Sequence, residues 1–161
     1  MPVKTKLSSR ALDEKDKEIL RILQGNGREQ IKRISKKVGL SMNSTSRRID
    51  EMLRKEIFKP TILIDPDKIG FPLIADIKIK LKNVTQIELD KFISYLQKHP
   101  RCIELLSSMG DYDFTCVLIA KNGDELDKIS TEIRQKFRDL IDGWKGNFVL
   151  KSYKFEEYLF D

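Results

Sequence analysis

The chain has few residues of the kinds that bind metals or form disulfides. Its 161 residues include two cysteines, Cys102 and Cys116, and one histidine, His99. Zinc sites draw most of their ligands from closely spaced cysteines and histidines, so we expect no structural zinc site. The sequence also has no Ser/His/Asp arrangement, no glycine-rich phosphate-binding loop and no cluster of metal ligands. We therefore expect no cofactor.

Long apolar runs are also missing. No stretch approaches the roughly 20 residues that a helix needs to cross a bilayer. The first residues, MPVKTKLSSRALDEKD, lack the apolar core of a signal peptide. These absences predict a soluble cytoplasmic protein. With 161 residues and 40% hydrophobic content, the chain can hold one ordinary domain or two small ones.

Positive charge is concentrated in the first part of the chain. Residues 1–60 contain 16 Lys and Arg against 8 Asp and Glu, whereas the remainder contains 15 against 17. A small basic domain raises both the affinity and the encounter rate for a polyanion such as DNA. The charge boundary favours two domains, although lysine-rich surfaces are also common on proteins that bind no nucleic acid. Residues 1–10 have almost nothing to bury and are expected to form a mobile tail.

The segment 31–50, IKRISKKVGLSMNSTSRRID, has the pattern of a helix-turn-helix. Apolar residues recur at helical spacing before a Val-Gly-Leu-Ser turn. Gly39 can adopt the left-handed conformation that ends a helix, and the Ser41 hydroxyl can cap the next one. The second helix then begins at Met42, and its inward-facing stripe consists of Thr45, Ile49, Met52 and Leu53. An earlier helix, capped by Asp13 and ended by a Gly-Asn-Gly sequence, completes a three-helix domain.

The outer face of the second helix carries side chains that can contact DNA. Residues near the start of such a helix lie closest to the base edges when it enters the major groove. Arg47 can pair with guanine and Asn43 with adenine, each contact contributing roughly 1–3 kcal/mol of discrimination. Met42 and Ser46 are expected to meet thymine methyl groups or phosphates. The complete predicted set is Ser41, Met42, Asn43, Ser44, Ser46, Arg47 and Arg48.

Arg48 has two interpretations. It lies one step round the helix from Arg47 and beside the inward-facing Ile49. We expect it either to contact a phosphate or to form a structural ion pair with Asp50 or Glu51.

Beyond residue 60 the pattern changes to alternating strands and helices. A connector at residues 61–72 contains prolines and a strand-like Ile62-Leu63-Ile64. A strand follows at residues 73–82, where apolar residues alternate with charged ones. The later predicted elements are a helix at 85–98, a hairpin of strands 102–109 and 112–120 around a Gly110-Asp111 turn, a helix at 124–138 and a strand at 147–155.

This order, β-α-β-β-α-β, predicts an α+β protein whose second domain, 73–161, is ferredoxin-like. Two helices then cover one face of a four-stranded antiparallel sheet. The other face has no covering helix, so we expect chains to pair through these sheets. In the hairpin, a turn at Gly110-Asp111 places Cys116 opposite Leu105, and we therefore expect no disulfide with Cys102.

Short motifs also recur along the chain in a fixed order. In the first domain they are Leu12-Asp13, Asp16, Ile19-Leu20, Asn26, Arg28, Val38-Gly39-Leu40-Ser41 and Arg48-Ile49. Later ones are Asp65-Pro66, Ile69-Gly70 and Gly110-Asp111-Tyr112-Asp113. None is specific alone, but their order and spacing resemble the Lrp/AsnC, or feast/famine, transcriptional regulators along essentially the whole chain.

The resemblance implies a dimer-based repressor or activator that binds double-stranded DNA. It also implies that the second domain assembles homo-oligomers and binds an amino acid or related small metabolite, in a pocket between dimers near the hairpin turn. Aspartates can bind the ammonium group of an amino acid, and backbone donors in a glycine turn can bind its carboxylate. The effector residues implied are Gly110, Asp111, Tyr112 and Asp113, with Asp124 a weaker candidate. The alternative is that Gly110-Asp111 only makes a turn, Tyr112 packs and Asp113 forms a hydrogen bond there.

Several residues depart from the family pattern. Ser35 and Thr45 replace apolar residues, and their hydroxyls can bond back to the preceding turn. Glu56 stands where a glycine commonly ends the recognition helix, so we expect that helix to run on or to end differently.

Two other functional classes remain open. Sirohaem decarboxylases share this two-domain architecture, but their chemistry would call on His99, and a lone histidine before Pro100 is more often a solvated turn residue. A protein that only compacts DNA is the third possibility, and its binding would depend on salt but not on sequence. We expect a regulator rather than an enzyme.

Overall fold

The computed structural model describes residues 12–160, which divide into two compact units. The described residues up to Leu63 and those from Lys154 form the first unit, and Ile64–Tyr153 form the second. The predicted N-terminal tail lies outside the described residues. No helix in the described range is long and apolar enough to cross a membrane.

Local capping signals set the helices of the first unit. These helices are α1 (Glu14–Gly25), α2 (Ile31–Val38) and α3 (Met42–Arg54). The Asp13 side chain accepts a hydrogen bond from the Asp16 N–H at 2.9 Å. Gly39 ends α2 with a φ of 69°, and the Ser41 hydroxyl accepts a hydrogen bond from the Ser44 N–H at 3.1 Å. The predicted helix-turn-helix is confirmed.

The apolar core of this unit is small. Its buried members in the described part of the chain are Ile19, Leu20, Ile34, Val38 and Met52. Thr45 is completely buried, and its hydroxyl donates to the Ser41 carbonyl at 3.0 Å. The Ser35 hydroxyl likewise donates to the Lys32 carbonyl at 3.0 Å. Both hydroxyls therefore bond back to the preceding turn as expected, and neither is left unsatisfied in the core.

The C-terminal segment contributes to the same unit. The Gln24 side-chain amide accepts from the Tyr158 N–H at 2.9 Å and donates to the Tyr158 carbonyl at 3.0 Å. Arg21 donates to the Phe160 carbonyl, and the Phe160 side chain packs against the core of the three helices. The tail therefore enlarges a core that three short helices alone leave small.

The second unit has the predicted ferredoxin-like arrangement. Its elements are β1 (Leu73–Leu81), α4 (Gln86–Lys98), β2 (Cys102–Ser107), β3 (Phe114–Ala120), α5 (Gly123–Lys136) and β4 (Ile141–Phe148). The strands are antiparallel in the order β2-β3-β1-β4. Phe92 of α4 packs edge-on against Phe114 and Phe137 at ring distances of 5.6 and 5.2 Å. Leu105 lies opposite Cys116, which confirms the predicted hairpin register.

The position of the last strand was predicted wrongly. We expected it at 147–155, but β4 ends at Phe148, and Leu150 and Tyr153 are exposed. The true strand contains two glycines, which are typical of turns. A Cβ at Gly143 would lie 3.0 Å from the Lys80 Cβ, and one at Gly146 would lie 3.1 Å from the Ile77 Cδ1. The glycines are therefore needed for the close approach of β4 to β1.

Two further predictions about the second half need correction. Ile62, Leu63 and Ile64 do not form a strand, since they pair with no described strand and are exposed. The connector instead contains a short 3-10 turn at Asp67–Ile69. The hairpin strands are also shorter than predicted, so residues 108–113 form a wider turn than Gly110-Asp111 alone.

The end of α3 differs from the expectation for Glu56. The helix stops at Arg54, and Glu56 itself adopts a left-handed conformation with a φ of 55°. The Glu56 N–H donates to the Leu53 carbonyl and the Ile57 N–H to the Met52 carbonyl, both at 3.0 Å. This pair of hydrogen bonds is the one that a C-terminal glycine usually allows. Glu56 therefore ends the helix as a glycine would, at a cost in backbone energy.

Replacing Glu56 by Gly is expected to stabilise the protein. A left-handed conformation costs a non-glycine residue roughly 1–2 kcal/mol, and the entropy that Gly loses on folding offsets part of the gain. We expect a net increase of up to about 1 kcal/mol in the free energy of unfolding, measured by urea denaturation. Glu56→Ala is the matched control, because it removes the same charge and keeps the Cβ. Equal stability of the Gly and Ala variants would contradict the proposed strain.

Candidate functional site

The outward face of α3 is open and polar. Met42 is 54% exposed, and Asn43 and Arg47 are exposed beside it. A shallow groove of about 560 Å³ runs along this face, lined by Asn43, Ser46, Arg47, Asp50, Glu51 and Arg54. Arg47 forms no ion pair with any described residue, so its guanidinium is available to a partner. The face combines amide, hydroxyl and guanidinium groups with the carboxylates of Asp50 and Glu51, and its donors and acceptors match those of the DNA major groove.

The serines of the predicted DNA-binding set differ in whether their hydroxyls form hydrogen bonds within the protein. Ser41 caps α3, and its hydroxyl also donates to the Ser44 hydroxyl at 3.0 Å. Ser46 lines the groove and is half-buried. The main role of Ser41 and Ser44 is therefore to hold the start of α3. Ser46 faces the same groove as Asn43 and Arg47.

Arg48 points to a different part of the unit from Arg47. One of its guanidinium nitrogens lies 2.8 Å from a carboxylate oxygen of Asp13 and 2.8 Å from one of Asp16. Its hydrogen bonds to Asp13 and Asp16 raise the pKa of Arg48. Arg48 therefore forms a structural ion pair, one of its two predicted roles, but its partners are Asp13 and Asp16 of α1 rather than Asp50 or Glu51. Arg48 thus joins α3 to the start of α1.

Additional positive charge lies on α2, beside the turn. Lys36 and Lys37 are exposed in its last turn. Arg33 and Lys37 each lie 3.8 Å from a carboxylate oxygen of Glu29. Both contacts are loose, and the two cationic side chains are largely exposed to solvent. These side chains therefore add to the positive potential of the first unit.

In the second unit, the hairpin turn divides its aspartates between two roles. The Asp113 carboxylate accepts a hydrogen bond from the Leu81 N–H at 2.7 Å and lies 3.6 Å from the Lys80 ammonium. It therefore ties the turn to β1. Asp111 is exposed and forms no hydrogen bond or ion pair with another described residue. It follows Gly110, whose φ of 141° suits glycine.

Tyr112 is half-buried over β4. A Cβ at Gly143 would lie 4.0 Å from its ring, which places the ring against that strand. The turn is closed by two hydrogen bonds, from the Ser108 hydroxyl to the Tyr112 carbonyl at 2.7 Å and from the Ser108 N–H to the Asp113 carbonyl at 2.8 Å. Of the four turn residues, Asp111 is thus the freest to meet a ligand.

Asp124 lies far from this turn within one chain. It is exposed in the first turn of α5, which follows the end of β3, whereas the hairpin turn precedes the start of β3. Seven residues of antiparallel strand separate the two by roughly 20 Å. Its neighbour Glu125 accepts from the Lys121 N–H and pairs with Arg101, and these contacts lower the pKa of Glu125. A single chain therefore does not bring Asp124 together with Asp111.

A cleft between the C-terminal ends of α4 and α5 was not anticipated. It has a volume of about 790 Å³ and is lined by Asp90, Lys91, Ser94, Tyr95, Lys98, His99, Pro100, Lys136 and Phe137. His99 caps the end of α4, and its Nδ1 accepts from the Arg101 N–H at 3.2 Å. Burial lowers the pKa of His99, and its ring lies 5.7 Å from that of Tyr95. His99 therefore shapes a turn, and no sequence motif marks the cleft around it.

Among residues 12–160, no group of three or more His, Cys, Asp or Glu side chains is arranged to hold a metal ion.

The chain matches two known domains. Residues 12–53 match the AsnC-type helix-turn-helix domain, and residues 74–159 match the Lrp/AsnC ligand binding domain. It is 33% identical over 150 residues to the HTH-type transcriptional regulator FL11 of Pyrococcus horikoshii, covering 89% of this chain and 92% of that protein. It is 29% identical over 146 residues to the HTH-type transcriptional regulator Ptr1 of Methanocaldococcus jannaschii, covering 89% and 95%.

Solved structures share the fold. An AsnC family transcriptional regulator from Agrobacterium tumefaciens superposes with a TM-score of 0.82 at 24% identity, covering 92% of this chain and 96% of that one. A transcriptional regulator from Neisseria meningitidis, solved as a complex with L-Met, superposes with a TM-score of 0.81 at 22% identity, covering 89% and 93%. Since the two matched domains span most of the sequence in the order that the motifs predicted, the chain belongs to the Lrp/AsnC family of transcriptional regulators.

Proposed function

We propose that this protein is a dimer-based transcriptional regulator that binds specific DNA sequences through α3 and responds to an amino acid or a related small metabolite. The observation that carries the proposal is the difference between adjacent residues of α3: Arg48 is held by carboxylates of α1, while Asn43 and Arg47 are exposed and line the groove. Residues 1–60 act as the DNA-binding domain, 61–72 as the connector and 73–161 as the oligomerisation and effector domain.

DNA recognition rests on the first two turns of α3. With its N-terminal half in the major groove, Asn43 binds adenine and Arg47 binds guanine, while Met42 and Ser46 meet thymine methyl groups or phosphates. Ser41 and Ser44 fix the start of the helix and reach the backbone from there. Arg48 acts by holding α3 at the correct angle rather than by contacting a phosphate. The cytoplasm, where such operators are accessible, is the proposed site of action.

Two copies of the domain are needed for useful specificity. One α3 offers only a few base contacts, so a dimer reads two half-sites about one helical turn, or a multiple of it, apart. The sheet face that no helix covers supports pairing, because Leu106, opposite Thr115, is 51% exposed there and Val117 lies on the same face between Glu104 and Asp76. Apolar side chains left uncovered on a sheet favour contact with a second copy.

The hairpin turn supplies the effector residues. The Asp111 carboxylate binds the ammonium group of the ligand, and the backbone around Gly110 binds its carboxylate. Tyr112 forms part of the pocket wall, and Asp113 holds the turn in place through its hydrogen bond to β1. Asp124 then joins the pocket only from a second chain. L-Met in the regulator from Neisseria meningitidis supports an amino acid as the ligand class. Binding that favours one assembly state changes DNA affinity through linkage.

Adjacent arginines on α3 provide a matched test of DNA binding. Arg47→Ala is expected to weaken operator binding about 10- to 100-fold, because one bidentate base contact is lost, with little change in melting temperature. Arg48→Ala is expected to lower the free energy of unfolding by about 1–3 kcal/mol, because two carboxylates lose their partner. The operator is identified by selecting bound fragments from genomic DNA. The affinity of the parent and of each variant is then measured on the operator duplex and on a duplex of shuffled sequence.

Exposed Arg138 in the second unit provides a charge control, since Arg138→Ala removes the same charge far along the sequence from α3. Its operator affinity should equal that of the parent. Equal affinity of the Arg47→Ala variant and the parent would refute the assignment of α3. Equal affinity of the parent for both duplexes would indicate a DNA-compacting protein instead.

Neighbouring aspartates test the effector turn. Asp111→Asn is expected to abolish the thermal stabilisation that the best of the standard L-amino acids gives the parent, because the ammonium loses its counter-charge. The melting temperature without ligand and the operator affinity should stay unchanged. Asp113→Asn is expected to lower the melting temperature instead, because it weakens the tie to β1. Undiminished stabilisation of the Asp111→Asn variant by that amino acid would exclude Asp111 from the pocket.

A further inference from the structure

The two cysteines of the second unit are in contact. The Cys102 and Cys116 sulfur atoms lie 3.4 Å apart, and both thiols are free. Cys116 is completely buried in the core, whereas Cys102 lies on the edge strand β2 and is only half-buried. Neither side chain takes part in the DNA or effector contacts proposed above.

A β-bulge creates this contact. Glu104 lies opposite Val117, but Cys102 lies opposite Leu118, because the register shifts between them. In an unbroken ladder Cys102 would lie opposite Ile119 and project from the other face of the sheet. The extra residue, Ile103, turns Cys102 onto the face where Cys116 lies. The register around Cys116 was predicted correctly and both cysteines are free, but the bulge brings the two sulfurs closer than a regular ladder would place them.

The two thiols differ in pKa and in exposure, so one can react with an oxidant before the other. The hydrogen bond from the Cys116 thiol lowers the pKa of Cys102. The same interaction, together with burial, raises the pKa of Cys116. Cys102 is also the more accessible thiol, because its position at the sheet edge leaves it partly exposed to a small oxidant, whereas Cys116 is completely buried.

We propose that Cys102 and Cys116 form a reversible redox site that reacts with a small hydroperoxide such as hydrogen peroxide. The Cys102 thiolate attacks one peroxide oxygen, an S–O bond forms, the O–O bond breaks, and the released hydroxide takes up a proton to leave as water. The Cys116 sulfur then attacks the Cys102 sulfenic acid, an S–S bond forms, the S–O bond breaks, and hydroxide leaves with the Cys116 proton as a second water. Two electrons pass from the two thiols to the peroxide.

The product would constrain the hairpin that carries the proposed effector turn. Cys102 and Cys116 are separated by 14 positions, and the closed loop contains residues 108–113. A disulfide across this loop reduces the conformational freedom of the unfolded chain and raises the melting temperature. This part of the inference depends only on the hairpin and stands whether or not the turn binds an effector.

The test uses the full-length reduced protein treated with hydrogen peroxide under native conditions. We expect both thiols to disappear in a titration with a thiol reagent, the intact mass to fall by two hydrogen atoms, and a linked peptide to join Cys102 to Cys116. Dithiothreitol should restore the original mass. The oxidised protein should melt at a higher temperature than the reduced one.

Single variants separate the two steps. Cys116→Ser should stop at a sulfenic acid on Cys102, which dimedone traps, whereas Cys102→Ser should leave Cys116 reduced in the folded protein. If Cys116→Ser fails to fold, Cys116→Ala serves the same purpose and keeps the buried site apolar. Persistence of both thiols in the parent, while a denatured sample loses them under the same treatment, would overturn the proposal. Disulfides formed only between chains would overturn it as well.

Discussion

One guanidinium group fixes the geometry of the DNA-binding unit. The buried apolar side chains of this unit are few, so the angle between α1 and α3 depends strongly on the bridge from Arg48 to Asp13 and Asp16. The same two aspartates cap α1, so capping and helix packing share a single cluster. Successive residues of a helix are rotated by about 100°, so Arg47 can stay exposed while the neighbouring Arg48 is held against α1.

The hairpin turn of the second unit repeats this arrangement. Asp113 has a structural role, because its carboxylate accepts a hydrogen bond from the Leu81 N–H. Asp111, two positions earlier, remains exposed. In both places a charged residue with a structural partner stands close in sequence to one of the same charge without such a partner. The structural member limits the motion of the exposed member, which reduces the entropy lost when a ligand is bound. Preorganisation of this kind suits the partners proposed for these two sites, DNA bases and a small zwitterion.

Local signals in the sequence predicted what local physics decides. Ser41 and Gly39 mark the ends of helices through their own hydrogen-bonding and backbone properties, and the alternation in β1 follows from one buried face. Features decided by distant residues were missed. Arg48 finds its partners 35 and 32 positions away, and the glycines of β4 reflect contact with β1 rather than a turn. The bulge at Ile103 also has no signature in its own sequence, so the approach of the two sulfurs was not foreseen.

The return of the tail to α1 affects when the protein becomes functional during its synthesis. Because Gln24 and Arg21 bind the backbone of Tyr158 and Phe160, the DNA-binding unit draws on two segments that lie 134 and 139 positions apart in the sequence. The segment from Lys154 onward must therefore emerge from the ribosome before that unit can reach its final packing. The whole of the second unit, residues 64–153, is thus synthesised before the first unit can pack completely.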